Sequence, residues 1–276
     1  MKKIFRGDSM AVKLFVSDID GTLLVSGKSI PEKNIAAVHK MVEAGIIVTI
    51  ATGRMYRATL PIAKSLGVDV PIITYNGALI KSVGGEILYE NPLPPDIVTA
   101  VTDFFRKNGW YVQNYSEDIL SFPVDNEYSK FYQDNQKVTG TAVGWDIMRT
   151  KTSHVCKMLN ITSGLEETEK ISEIVRAEFG DKLSITRSTP IFNEIVSPGV
   201  SKASAIKILA KKFNIDISEV MAIGDSDNDL PMLKAAGKSI AMGNARDEIK
   251  NVCDYVTADC ADNGFAQAVD KFVFGK

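Results

Sequence analysis

The sequence predicts an α/β protein built on a Rossmann-like, doubly wound parallel sheet, with an inserted α+β module. Short apolar runs alternate with helix-period segments in the first quarter, the alternation returns after about residue 195, and the stretch between loses it. At 276 residues the chain exceeds the usual size of one domain, so one large or two modest domains are expected, each able to bury a core.

The first strand is "KLFVS", followed by a helix from about Pro31 to Ala44, the strand "IIVTIAT", a helix from about Ala58 to Leu66, and the strand "PIITYNG". Ser29 and Glu32 have capping-box spacing, Pro31 suits a first turn and Gly45 a helix end; Ile35, Val38, Met41 and Val42 are the expected inward positions. "ALIKSVGGEILYE" reads as a hairpin turning at Gly84-Gly85, and the helix after Pro94-Pro95 turns Ile97, Val101, Phe104 and Phe105 inward. Extended stretches "WYVQNYS" and "HVCKMLNITS" follow, then a helix from about Glu166 to Glu178 with Ile171, Ile174, Val175 and Phe179 at helical spacing. Because helices and strands no longer alternate one for one, residues 86–190 are expected to form a cap with an antiparallel sheet, and 1–85 with 191–276 the core. Trp110, Tyr111, Tyr115 and Trp145 read as packing the cap's interior ahead of lining a pocket. After the cap, "VMAIG", "SIAMG" and "DYVT" are strands, separated by helices near Ser201–Lys212, Leu230–Ala236 and Ala245–Asn251; a terminal helix carries Phe265, Ala268, Val269 and Phe272.

Composition narrows the partners. A net charge of -2 with 24% charged residues gives no global basic field, which argues against nucleic acid. Cys156, Cys253 and Cys260 are odd in number and lack metal-ligand spacing, so they read as buried reduced thiols of a cytoplasmic protein. His39 and His154 stand apart from any zinc motif. "MKKIFRGDSM" has no apolar stretch behind it and no run approaches the ~18 apolar residues of a membrane span, so neither export nor a membrane is expected. Met10 is a second candidate start, and a monomer or weak homodimer is the expected state.

In a doubly wound sheet ligands sit beyond the carboxyl ends of the strands. Four clusters occupy such places: "DID" at Asp18–Asp20, "ATGR" at Ala51–Arg54, Lys202 in "PGVSK", and "GDSDND" at Gly224–Asp229. Residues i and i+2 of a strand share a face, so Asp18 and Asp20 crowd two negative charges unless something cationic or catalytic uses them. Together the clusters supply a phosphoryl-transfer site. Asp18 and Asp225 offer hard oxygens to Mg²⁺, one Asp is free to act as a nucleophile, and Asp20 can give and take the proton. Thr52, the Gly53 amide and Lys202 can hold the phosphoryl oxygens.

The order "DIDGT", "ATGR", Lys202 and "GDSDND" resembles the haloacid dehalogenase-like superfamily, and "GVSK" paired with "GDSDNDLPML" is similar to its Cof-type branch of Mg²⁺-dependent phosphatases. The resemblance covers residues of about 11–84 and 195–276. It implies Asp18 as nucleophile, Asp20 as general acid/base that also offers its carbonyl to the metal, and Asp225 as the remaining ligand. Ile19 through its amide, Thr52, Gly53, Lys202 and Asn228 would hold the phosphate, and Asp229 would orient Lys202 or the metal's surroundings. Ala203 departs from the glycine that often follows the motif lysine. Arg54 and Asn76 are candidate substrate contacts, although a surface arginine and an Asn-Gly turn explain them as well. Hydrolysis of a small phosphorylated metabolite, with sugar phosphates foremost, is the implied activity. A sugar phosphomutase, a phospho-aspartate receiver module and an idle binding protein remain alternatives; taken singly, "DIDGT" also reads as a polar turn and "GDSDND" as an acidic loop.

Overall fold

Leu14–Ser17 are all buried, an apolar run without polar alternation, as expected of a parallel strand covered on both faces. The computed structural model describes residues 12–25 and 27–275, so Met10 lies outside the described residues. The first part of the chain forms β1 (Leu14–Ser17), α1 (Glu32–Glu43), β2 (Ile47–Ile50), α2 (Tyr56–Ser65), β3 (Ile72–Thr74), β4 (Leu79–Lys81) and β5 (Ile87–Glu90). The middle forms α3 (Pro95–Asn108), β6 (Gln113–Asn114), β7 (Ser121–Phe122), α4 (Glu127–Gln136), β8 (Thr141–Ala142), α5 (Trp145–Met148), β9 (Met158–Ile161), α6 (Leu165–Phe179), β10 (Ser184–Thr186) and β11 (Phe192–Val196). The chain then returns as α7 (Lys202–Lys212), β12 (Val220–Gly224), α8 (Leu230–Ala235), β13 (Lys238–Ala241), α9 (Asp247–Lys250), β14 (Tyr255–Val256) and α10 (Gly264–Ala268).

The parallel sheet runs β14-β13-β12-β1-β2, and a parallel bridge from Ala51 to Ile73 attaches β3 beyond β2. Strand order therefore reverses direction between β1 and β12. At such a switch point the two following loops diverge and leave a crevice. Alternation along β1 feeds two cores: Phe15 packs with Val38, Met41 and Phe265 on one side, and Leu14 and Val16 with Ile206, Leu209 and Met232 on the other.

The inserted sheet runs β10-β11-β9-β6-β7-β8, antiparallel except between β7 and β8. Its two faces differ in chemistry. Met158 and Ile195 pack against α3 and α6 through Val101, Phe105, Ile171 and Val175, while Leu159 and Phe192 belong to the cluster that includes Tyr115 and Tyr132. Tyr111 and Tyr115 are buried, and Trp110 and Trp145 pack against the helix-side core, as expected of packing aromatics.

Several elements differ from the sequence expectation. β5 pairs with β4 in the small β3-β4-β5 sheet, and β11 lies inside the inserted sheet, so the sheets change over near residues 91 and 197 rather than at 86 and 190. Backbone pairing, which residue composition does not reveal, sets these junctions. The Ser29/Glu32 capping box does not form: Pro31 is extended at ψ 140°, the helix starts at Glu32, and Pro31 has no side chain to cap it. The buried face of α1 is Asn34, Ala37, Val38 and Met41; Val42 is 48% exposed and Ile35 only partly buried. Ile174 lies at the edge of its face and is 36% exposed. Helix α4, with few apolar residues, is closed by a capping box between Asn126 and Ser129 that the apolar period does not announce.

Asn34 shows why a polar residue occupies that inward face. Its Nδ2 donates to the Leu23 carbonyl at 2.8 Å and its Oδ1 accepts from the Ala266 amide at 3.2 Å, joining the loop after β1 to α10. Asn34→Leu orphans both backbone groups and is expected to cost about 2–4 kcal/mol, read as a lowered melting temperature. An undiminished melting temperature would mean that this bridge carries no stability.

Candidate active site

β1 ends at Ser17 and delivers Asp18, which is 4% exposed, into the crevice beside β12. Lys202, the first residue of α7, is fully buried, and its Nζ donates to Asp18 Oδ1 at 2.6 Å and to Asp229 Oδ1 at 2.5 Å. A reciprocal capping box between Ser201 and Ser204 fixes the helix start that aims it. The other oxygen of Asp229 accepts the amides of Asp225 and Ser226, both at 3.0 Å. Asp229 is therefore saturated as a bracket for Lys202 and for the loop after β12.

Asp225 stands across from Asp18. Thr22 donates to its Oδ1 at 3.0 Å, and Asn244 to its Oδ2 at 3.2 Å and to the Gly21 carbonyl at 2.9 Å. Gly21 sits at φ +80°, and a Cβ there would stand 2.4 Å from Asp225 Oδ2, so only glycine brings the two loops this close.

Side-chain oxygens of Asp18, Asp225 and Asp229 lie within 4.8 Å of one another. One lysine among three carboxylates leaves the group with an excess of two negative charges. Burial, then Asp229, holds the Asp18 carboxyl well above the usual carboxylate range despite Lys202. Burial, then Asp229, likewise raises Asp225 to about 7. Burial alone would lower Lys202, but Asp18 and Asp229 hold it above its ordinary value. Hard oxygens, uncompensated charge and carboxyls reluctant to ionise fit a small divalent cation.

Asp20 takes a different course. Arg54 donates to it through Nε and Nη2, both at 2.6 Å, a two-pronged pair with Asp20 31% exposed and Arg54 8%. This draws the Asp20 side chain away from the three-carboxylate group and gives Arg54 a partner within the site. Ile19 is buried between the two aspartates. Thr52 Oγ1 accepts the Arg54 amide at 3.2 Å and so keeps its own proton for a ligand. Gly53 has no room for a side chain: a Cβ would lie 2.8 Å from Glu194 Oε1 and 2.9 Å from Asn76 Oδ1. Asn76, at φ 58°, accepts from Asn228 Nδ2 at 2.9 Å, so these two hold each other beside Gly53.

One cavity of about 380 Å³ is lined by Asp18, Asp20, Thr52, Gly53, Arg54, Asp225 and Asn228. Lys202 lies behind Asp18, and Asn76 behind Asn228. The inserted sheet closes over this cavity. Its Lys157 donates to the Gly53 carbonyl at 2.5 Å, Tyr75 of the core to Asp118 at 2.6 Å, and Arg187 to Asp227 at 3.1 Å. Thr22, Asn244, Lys157, Glu194 and Tyr132 were not legible as site residues from spacing. For Lys157 and Glu194 a signal does exist, a charge inside or beside an apolar strand in "VCKML" and "FNEIV".

Cys156 and Cys260 are buried and Cys253 half-buried, all as free thiols. Among the described residues no helix is long and apolar enough to cross a membrane.

The chain matches the haloacid dehalogenase-like hydrolase family over residues 15–269. A 5-amino-6-(5-phospho-D-ribitylamino)uracil phosphatase of Bacillus subtilis is 30% identical, over 96% of this chain and 99% of its own length. Among solved structures, a haloacid dehalogenase-like hydrolase from Bacteroides thetaiotaomicron aligns with TM-score 0.83 at 29% identity, covering 94% of this chain and 99% of its own. A sugar phosphatase of subclass IIB aligns with TM-score 0.82 at 29% identity, covering 94% and 98%. A receiver module has no place in a match of this extent, which spans both the sheet and the insert. The protein belongs to the haloacid dehalogenase-like hydrolases, in their Cof-type branch, and its enzyme class is that of a phosphatase.

Proposed function

We propose that the protein hydrolyses phosphate monoesters of small metabolites with Mg²⁺, through a phosphoryl group carried on Asp18. The observation that best supports this is the buried Lys202, which holds Asp18 Oδ1 and leaves Oδ2 for attack. Asp18 displaces the ester oxygen from phosphorus, and Asp20 supplies the proton that oxygen needs to leave as an alcohol. Water then attacks the aspartyl phosphate, Asp20 takes its proton, and the carboxylate of Asp18 is restored as phosphate departs. Thr52, the amides of Gly53 and Ile19, Asn228 and Lys202 hold the phosphoryl oxygens. Asp18 and Asp225, with the main-chain carbonyl of Asp20, would hold Mg²⁺, which when bound offsets charge on the phosphoryl group and the carboxylates.

Asp20 cannot donate a proton while Arg54 occupies both its oxygens. The reading therefore requires the fork to open as substrate enters, and a phosphoryl group is the anion a guanidinium prefers. Sugar and polyol phosphates are the leading substrate class. This is supported by the relatives, one named for a phosphoribityl compound and one as a sugar phosphatase.

Hydrolysis of an aryl phosphate is expected to fall more than 100-fold in a chelator and to return with Mg²⁺; full activity in the chelator would refute the metal's role. Stability supplies a second measurement. Asp18 and Asp225 are raised in the folded chain, so between pH ~4 and ~7 the folded state binds more protons than the unfolded one. Metal-free protein should therefore lose stability as pH rises through that window, and Mg²⁺ should restore it most at the upper end. A melting temperature insensitive to Mg²⁺ at pH 8 would count against these carboxylates as its ligands.

A further inference from the structure

Resting on the phosphatase reading above, we infer that Glu194 and Tyr132, carried over the site by the inserted sheet, select the leaving group of the ester. What they select is uncharged and bears hydroxyl groups.

Glu194 is 1% exposed and lines the cavity that holds Asp18. Its Oε1 accepts from Lys157 Nζ at 2.7 Å, whereas its Oε2 is buried without a hydrogen-bond partner. A buried carboxylate oxygen left unpaired is costly, and a ligand that donates to it removes that cost. The inserted sheet explains how the group arrives: β9 and β11 pair Leu159 with Glu194, and alternation places Lys157, Leu159, Phe192 and Glu194 on the face away from α3 and α6. Lys157 is fixed by the Gly53 carbonyl at 2.5 Å, and Glu194 Oε1 fills the space that any side chain at position 53 would need. The carboxylate is thus held beside the loop expected to cradle the phosphoryl group, where the rest of the ester must pass.

Tyr132 completes the arrangement. Gln113 donates to the Tyr115 hydroxyl at 2.7 Å, which leaves the Tyr115 proton free to turn toward Tyr132, whose ring centroid lies 5.9 Å from its own. The O–H of Tyr132 is then left to point at a ligand in the cavity it lines. An unpaired acceptor and a donor, with the Phe192 ring 6.2 Å from that of Tyr132, suit a polyol or sugar: hydroxyls for the polar pair and a C–H face for the rings. A further carboxylate or phosphate on the leaving group would meet Glu194, with Lys157 already paired to it and Arg54 turned to the transferred phosphoryl group. Such esters are disfavoured.

The test compares kcat/KM for a panel of sugar and polyol phosphates, 3-phosphoglycerate and para-nitrophenyl phosphate, whose leaving group has no hydroxyl to donate beyond the ester oxygen. Glu194→Gln is expected to lower kcat/KM on the best polyol or sugar phosphate by about 10–100-fold, mainly through KM. Its loss on the aryl phosphate should be at least tenfold smaller. Tyr132→Phe should shift the same ratio in the same direction. Should Glu194→Gln alone fail to fold around Lys157, the Lys157→Met, Glu194→Gln pair removes both charges and is read by the same ratio. Equal losses on all substrates, or wild-type preference for 3-phosphoglycerate, would overturn the inference. Wild-type hydrolysis of the aryl phosphate with none on the panel overturns the inference and leaves the phosphatase reading standing; hydrolysis of nothing defeats both.

Discussion

Asp18→Asn is expected to lower kcat on any phosphate ester by about 10⁴-fold or more while the fold persists. The substitution keeps shape and an oxygen for Lys202 but removes the nucleophilic charge. Its effect on stability should run the other way. Burial, then Asp229, holds Asp18 well above the usual carboxylate range in the folded chain, so its ionised form there costs stability. The amide has no charge to bury, so in the absence of divalent cations the variant should melt higher than the wild type at pH 7, by about 2–4 °C for each kcal/mol recovered. That excess should disappear near pH 4, where the wild-type carboxyl is protonated too. Circular dichroism melts at the two pH values, beside a single-turnover assay, measure both effects; retained turnover in the variant would remove Asp18 from the reaction.

Such opposed effects are expected where local rules are broken for chemistry. The sequence exposes the breakage plainly at Asp18, because an apolar strand that runs into two carboxylates has no packing rationale. Lys202 and Asp225 were legible for the same reason, each following a strand or opening a helix where a doubly wound sheet places ligands. The partners of these residues were less legible. Nothing in the spacing of Asp20 and Arg54 announces their fork, which depends on how the loops after β1 and β2 converge. Lys157 and Glu194 are 37 positions apart and meet only because β9 and β11 are neighbours in the inserted sheet. Antiparallel order in such an insert follows from long-range pairing, so residues 192–196, placed with the core by the domain boundary at 191, form β11 of the inserted sheet instead. Helix α1 shows the local counterpart: Pro31 and Gly45 marked its ends well, but the buried Asn34 follows from a loop and a distant helix that no periodicity registers.

Lys202→Met should lose both function and stability, unlike Asp18→Asn. The ammonium is fully buried and sits between Asp18 at 2.6 Å and Asp229 at 2.5 Å. Removing it leaves two buried carboxylates facing each other with Asp225 close by, and breaking a buried pair from one side typically costs about 3–5 kcal/mol. Methionine fills most of the volume, so the loss should be electrostatic rather than a cavity effect. The sign of the pH response then separates the two causes. Lys202 is the cation that offsets the raising of Asp18 by burial and Asp229, so with it absent Asp18 should hold its proton to still higher pH, making the variant's deficit smallest at low pH and largest above neutrality. A cavity would lower stability equally at every pH. Combining the variants sharpens the point: Asp18→Asn in the Lys202→Met background removes one of the stranded charges and should return part of the lost stability without returning activity. If the two substitutions instead add independently, the coupling through the shared ion pair is absent and the electrostatic account of this site fails.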